Sequence, residues 1–234
     1  MKLISIAFIF IIYANSISSQ MSNIGSVKDI DGNIYKTIII GNYEWLAENL
    51  KVTKYSDGSE IPNITNKSDW SQVKTGAYCW YNNNDSNKVK FGALYNWYTV
   101  NTNKLCPDGW RVPSDEDWRY LEGYIDSKYK VGDSIWNGTM SRGFDIGNRL
   151  KAKYEWKLNV NDEFGFSALP AGECSSNKGY FHHLGSNGFW WSSTEFDSTK
   201  SWYRCIIFFD EKMIRNTHPK GMGFSVRCIK DKSE

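Results

Sequence analysis

Two cysteine-bearing segments constrain this chain more than any other feature. The first, Cys106-Pro107-Asp108-Gly109-Trp110-Arg111-Val112-Pro113-Ser114-Asp115-Glu116-Asp117-Trp118, holds a cysteine, a turn, a short extended piece and the start of the clearest helix. The second, Gly223-Phe224-Ser225-Val226-Arg227-Cys228-Ile229, reads as the strand that ends the fold. If Cys106 pairs with Cys228, nearly the whole domain lies inside one covalent loop of more than a hundred residues. By the chain-entropy account such a bond contributes about 4 to 5 kcal/mol, comparable with the net stability of a domain. Cys79, Cys174 and Cys205 remain, with three ways to pair; a bond from Cys174 to Cys205 would tie a long loop to the strand after it. No two cysteines stand at a C-x-x-C spacing, which argues against a zinc site.

Disulfides need an oxidising compartment, and the N-terminus supplies a route to one. Met1-Lys2 is followed by an apolar run from Leu3 to Ala14 and then by Asn15-Ser16-Ile17-Ser18-Ser19-Gln20. This is the layout of a cleavable secretory signal, expected over residues 1–19, with a short tail at 20–26 and one domain at 27–231. The run is shorter than the roughly 20 residues that span a bilayer. The expectation is an exported protein, secreted or held at the cell surface, with no transmembrane segment in the mature chain.

Lys and Arg number 28 against 26 Asp and Glu, a net charge of +2 without a dense basic run, so nucleic acid is not an expected partner. Aromatic residues make up 16% of the chain, with 11 Trp, 14 Tyr and 12 Phe. Rings at that density suit a core laid down among irregular loops, and they also suit surfaces that hold sugars.

Along the chain, Val27–Ile30, Ile34–Ile40 and Tyr43–Leu46 predict a meander turned at Asp31-Gly32 and Gly41-Asn42. Ala77–Tyr81 predicts a short strand, and Phe91–Val100 an apolar short helix. Ser114 as N-cap and Asp117 three residues on predict a helix whose stripe of Trp118, Leu121 and Ile125 faces the core. Asp115 and Glu116 fall in its first turn, where the helix dipole favours negative charge. Asp145–Lys153 predicts a second short helix, and Phe164–Pro170 a strand. Four strands end the chain: Phe189–Thr194, Ser201–Phe209, Met213–Asn216 and Gly223–Ile229. The fold class is α+β, antiparallel sheets with two or three short helices and long loops.

Ala171–Gly188, rich in Gly, Ser and Asn, is the longest irregular stretch with chemically useful side chains. The candidate binding residues are Glu173, His182, His183 and Asn187, with Trp191 and Glu195 on the next strand. Adjacent histidines on an extended segment point to opposite faces and make a poor metal pair. A thiol nucleophile from Cys174 with His182, or a carboxylate pair from Glu173 and Glu195, gives the enzyme alternative. No catalytic residue, metal ligand or cofactor is assigned.

Several segments together resemble the Fibrobacter succinogenes major paralogous domain, a family of exported bacterial proteins common in Bacteroidetes and Fibrobacteres. They are Asp31–Tyr35, Trp45–Leu50, Gly92–Trp97, Leu105–Ser114, Gly165–Pro170, Trp190–Glu195 and Gly223–Cys228, in the family's order. Arg111 departs from a histidine found in many members, and Cys174 and Cys205 are additions. The resemblance implies a C-type lectin-like fold with twisted sheets, in a branch akin to formylglycine-generating enzymes. The catalytic cysteine pair of those enzymes has no counterpart here, and neither do the sugar motifs of animal C-type lectins. Export, aromatic richness and the long loop at 171–188 give the expected function, a non-catalytic binding or surface-display module, for polysaccharide or a cell-surface protein. A purely structural scaffold is the other alternative to an enzyme.

Overall fold

The computed structural model describes residues 25–156, 160 and 162–231; the expected signal at 1–19 and most of the tail at 20–26 lie outside them. β1 (Gly25–Lys28), β2 (Ile34–Ile40) and β3 (Tyr43–Leu46) form the expected meander. Its turns place Gly32 (φ 86°) and Gly41 (φ 61°) in the left-handed region that glycine enters without a Cβ clash. The last strand, β12 (Ile229–Asp231), pairs with β3, so the sheet runs β1-β2-β3-β12 and holds both ends of the described chain.

The second sheet contains β6 (Met140–Arg142), β7 (Ala171–Cys174), β8 (Phe181–Leu184), β9 (Asn187–Glu195), β10 (Lys200–Ile207) and β11 (Met213–Pro219). Its order is β6-β11-β10-β9-β7-β8, antiparallel except where β7 meets β9 at Gly172 and Gly188. A two-residue ladder joins β4 (Tyr78–Cys79) to β5 (Leu94–Tyr95). The helices are short: α1 (Lys67–Gln72), α2 (Ser86–Phe91), α3 (Trp97–Val100), α4 (Asp115–Ile125) and α5 (Ile146–Leu150). Among the described residues, no helix is long and apolar enough to cross a membrane. The domain is α+β and dominated by sheet.

Three expected elements differ. Phe164–Pro170 alternates large and small residues yet is no strand. Gly165 (φ 69°) and Ser167 (φ 52°) turn the backbone, and Asp162 Oδ1 holds the Ser167 N–H at 2.8 Å. Phe91–Val100 is divided by Gly92 (φ 75°) into the end of α2, then β5, then α3. In Gly223–Ile229 only Ile229 joins a ladder. Gly223, Phe224 and Ser225 bridge singly to Cys174, Tyr95 and Trp190, because the segment threads between elements and meets a new neighbour at each step.

α4 organises the core. Ser114 and Asp117 form the capping box, and Trp118, Leu121 and Ile125 are buried with Trp45, Trp136, Phe166 and Trp190. The Trp45 and Trp118 rings lie 5.2 Å apart. The first-turn acid Asp115 does more than complement the helix dipole. It is buried, and it accepts from Arg204 Nη1 at 2.8 Å and from Arg215 Nη2 at 2.8 Å. Two turns on, Glu122 is fully buried; it accepts from Arg204 Nε at 2.5 Å and pairs with Arg142. One helix face is thus apolar, and the two acids seat α4 on three arginines from β6, β10 and β11.

A second buried network joins segments far apart in sequence. Asn49 Oδ1 accepts from Trp190 Nε1 at 2.9 Å and Arg227 Nε at 3.1 Å, while Asn49 Nδ2 donates to the Phe91 carbonyl at 2.9 Å. Arg227 also donates to the carbonyls of Leu46, Phe166 and Ser167, and its guanidinium lies 4.2 Å from the Phe166 ring centroid. Beside it, Cys228 is bonded to Cys106 across a sequence separation of 122, as expected. Asn49, Phe166, Trp190 and Arg227, one from each of the segments Trp45–Leu50, Gly165–Pro170, Trp190–Glu195 and Gly223–Cys228, are therefore joined in one buried frame.

Candidate functional site

The stretch expected to be irregular, Ala171–Gly188, contains the β7–β8 hairpin, in which Glu173 faces His182 and Cys174 faces Phe181. Between the Glu173–His182 pair and the Ala171–Leu184 pair, Gly172 (φ 69°) and His183 (φ 67°) are both left-handed. A Cβ on Gly172 would come within 2.5 Å of the His182 carbonyl and 2.7 Å of the Tyr81 ring, so only glycine fits. The conformation costs His183 on the order of 1 kcal/mol. It breaks the strand alternation on which opposite-facing histidines were expected: the two rings are 6.0 Å apart. It also brings His183 Nε2 within 3.9 Å of Glu173 Oε1.

Glu173 is 9% exposed. Among the described residues no hydrogen bond reaches its carboxyl, and burial pushes its pKa up to about 7. By contrast, Asp115 and Asp117 are held low by arginines and hydrogen bonds, and Asp126 by backbone hydrogen bonds, that outweigh their burial. Burial is the largest cause that pushes up the Tyr81, Tyr203 and Cys205 groups; the Glu173 charge adds to it in all three, after Cys205 in the case of Tyr203 and against a Leu184 backbone hydrogen bond in that of Tyr81. Rings continue from there across the sheet. His183 and Phe189 centroids are 6.0 Å apart, Phe189 and Tyr203 6.2 Å, and Tyr203 and His218 5.4 Å. Phe224 underlies them, 5.1 Å from both Phe189 and Tyr203. His218 Nδ1 is buried without a partner among the described residues, and burial lowers the pKa of its ring. Tyr180 and Leu184, before and at the end of β8, stand exposed.

Glu173 thus sets a carboxyl without a hydrogen-bond partner among the described residues, half-protonated near neutral pH, beside the buried rings of Phe189, Tyr203 and Phe224. The carboxyl can accept from or donate to a ligand hydroxyl. The chain brings together Glu173, His182 and His183 as candidate residues, and Asn187 opens β9 at half-burial. Trp191 does not belong with them. It is fully buried, and its Nε1 donates to the Tyr95 carbonyl at 2.8 Å. Glu195 is ion-paired with Lys220 at the far end of β9, seven residues beyond Gly188. At strand rise this puts it roughly 20 Å from Glu173. The Glu173–Glu195 carboxylate pair is thereby excluded.

Cys174 points to the other side of β7 from Glu173, into a cluster with Trp70, Cys79, Tyr81 and Leu94, away from the histidines. No bond joins it to Cys205, which packs in a different cluster. Clefts of about 250, 240 and 360 Å³ open elsewhere, and none is lined by a candidate residue. The widest has Lys36, Glu48 and Asn49 in its wall, but Glu48 already holds the Lys36 N–H and Asn49 is committed to the buried frame. Among the described residues, no group of three His, Cys, Asp or Glu is placed to hold a metal ion. Sequence reasoning missed Tyr81, Phe189, Tyr203 and the role of His218. Period-two spacing would have put Phe189 and Trp191 on one face, but not opposite Glu173.

This is a sheet-dominated α+β domain with a buried polar frame and a carboxyl-and-ring cluster around Glu173 at the β7–β8 edge of the second sheet. The chain matches the model of the Fibrobacter succinogenes major domain over residues 38–230, and it belongs to that family. No curated protein and no solved structure matches it.

Proposed function

We propose that the protein is an exported, non-catalytic binding module of C-type lectin-like architecture that holds polysaccharide at the face around Glu173. The observation that carries this reading is the Glu173 carboxyl, buried among rings with no hydrogen-bond partner of its own among the described residues. The three clefts do not include Glu173, and a site outside a cleft suits an extended polymer, whereas small molecules are usually enclosed in deep apolar pockets. The lectin-like architecture is supported by the last strand closing the first sheet and by the disulfide tying it to the start of α4. The enzyme alternative lacks its parts: Glu195 is paired elsewhere, and the Cys174 thiol faces away from His182.

Affinity electrophoresis across a polysaccharide panel, with a glycan array, is the test. Retardation by at least one polysaccharide is expected, weakened about tenfold or more in Glu173→Gln, the loss expected for a hydrogen bond to a charged group. No retardation on any polysaccharide would remove the sugar reading. The same variant reports on the site without a ligand. Burial holds Glu173 at about 7 in the fold against its ordinary 4.5. Between these values the unfolded chain releases a proton that the fold retains, so stability falls as pH rises through the window. Glu173→Gln removes that loss. It is expected to raise the unfolding free energy at pH 8 by on the order of 3 kcal/mol and to leave it unchanged near pH 4.

A further inference from the structure

Two of the thiols outside the Cys106–Cys228 bond are neighbours. Cys79 on β4 and Cys174 on β7 are 0% and 1% exposed, in one apolar cluster with Trp70, Ala77, Tyr81 and Leu94. Gly223 shows how close the strands come. Its backbone bridges to Cys174, and a Cβ there would lie 2.9 Å from Cys174 Cβ and 3.4 Å from Cβ of Leu94, the residue paired with Cys79. Burial, and after it the neighbouring Cys174 thiol, pushes the Cys79 thiol up. Cys205 lies in the other cluster with Trp191, Tyr203 and Phe224.

We propose that Cys79 and Cys174 are the partners of a second disulfide, leaving Cys205 as the single free thiol. The inference draws on the export reading for its oxidising conditions. The oxidant is a small or protein disulfide, such as oxidised glutathione or an oxidised dithiol oxidoreductase. One cysteine thiolate attacks the donor disulfide, forms a mixed disulfide and releases one donor thiol. The second cysteine then displaces the remaining donor sulfur. Two electrons pass from the cysteines to the donor, and the two protons end on the released thiols. Burial and the adjacent Cys174 thiol hold Cys79 well above the usual thiol range, so exchange in the closed fold is slow and the bond forms before this cluster closes. Residue 79 lies outside the loop closed by Cys106 and Cys228 and residue 174 inside it, so the two bonds interleave. The second bond anchors β7 directly beside Glu173.

The full chain, refolded with oxidised and reduced glutathione, then unfolded and alkylated without reductant, tests this; the Cys106–Cys228 bond in the same sample is the internal control. The expected result is one alkylated thiol, Cys205, and a cross-linked peptide containing Cys79 and Cys174. Cys205→Ala is expected to abolish labelling, and Cys79→Ala to make Cys174 reactive. Labelling of both Cys79 and Cys174 beside an intact Cys106–Cys228 bond would overturn the proposal. So would release of Cys174 by Cys205→Ala, the signature of a Cys174–Cys205 pair. Because the experiment involves no polysaccharide, its failure is distinct from failure of the binding reading.

Discussion

Glu122→Ala is expected to destabilise the domain by about 3 to 5 kcal/mol, which for a protein of ordinary stability removes most of the folded population. The cause is the charge left behind. Glu122 is fully buried and serves Arg204 and Arg142, both buried too, so truncation strands guanidinium groups without a carboxylate. Asp115 relieves part of that load for Arg204 but is also committed to Arg215. Glu116→Ala on the same helix is the control. Its side chain is 74% exposed, and the change should cost under about 1 kcal/mol. Urea unfolding at pH 7 separates the two. The network also predicts an acid limb. Burial alone would raise the Asp115 pKa, but the Arg215 hydrogen bonds and the Arg204 charge bring it down to about 2 from 3.8. Its contribution is thus complete above pH 3.8 and lost as pH falls toward 2.

Removing the covalent clasp is expected to cost about as much. Cys106→Ala with Cys228→Ala opens a loop of 122 residues, for which chain entropy gives about 5 kcal/mol. Unfolding with and without reductant should show the same loss in the unaltered chain, larger if the second disulfide is also reduced. Equal midpoints for the double variant and the parent would mean that the clasp adds nothing to a frame already fixed by Asn49 and Arg227.

How much of this was visible in the sequence depended on range. β2, β3 and the α4 capping box were legible because each is decided within a few residues, by β-branched runs, glycine turns and a Ser-x-x-Asp spacing. The clasp was legible because its two cysteines terminate recognisable segments. Asp115 was half legible: an acid in a first helical turn looks the same whether water or arginine lies beyond it. Phe164–Pro170 misled because large-small alternation also describes a loop pinned by a side chain, here Asp162. Of the candidate site, Glu173, His182 and His183 were named from one stretch of chain. Their environment comes from Tyr81, Phe189, Tyr203, His218 and Phe224, joined only by the sheet order and a left-handed His183 that strand periodicity cannot foresee. Trp191 and Glu195 looked like site residues by type, and the fold spends one on its core and the other on Lys220.

Glu173 is buried, and its carboxyl has no hydrogen-bond partner among the described residues. Carbon-13 NMR of the Glu173 side-chain carboxyl across pH 3 to 9 addresses this most directly, with Glu173→Gln assigning the signal. A midpoint near 7 is predicted, and one near 4.5, the ordinary value for a solvated glutamate, would contradict the account.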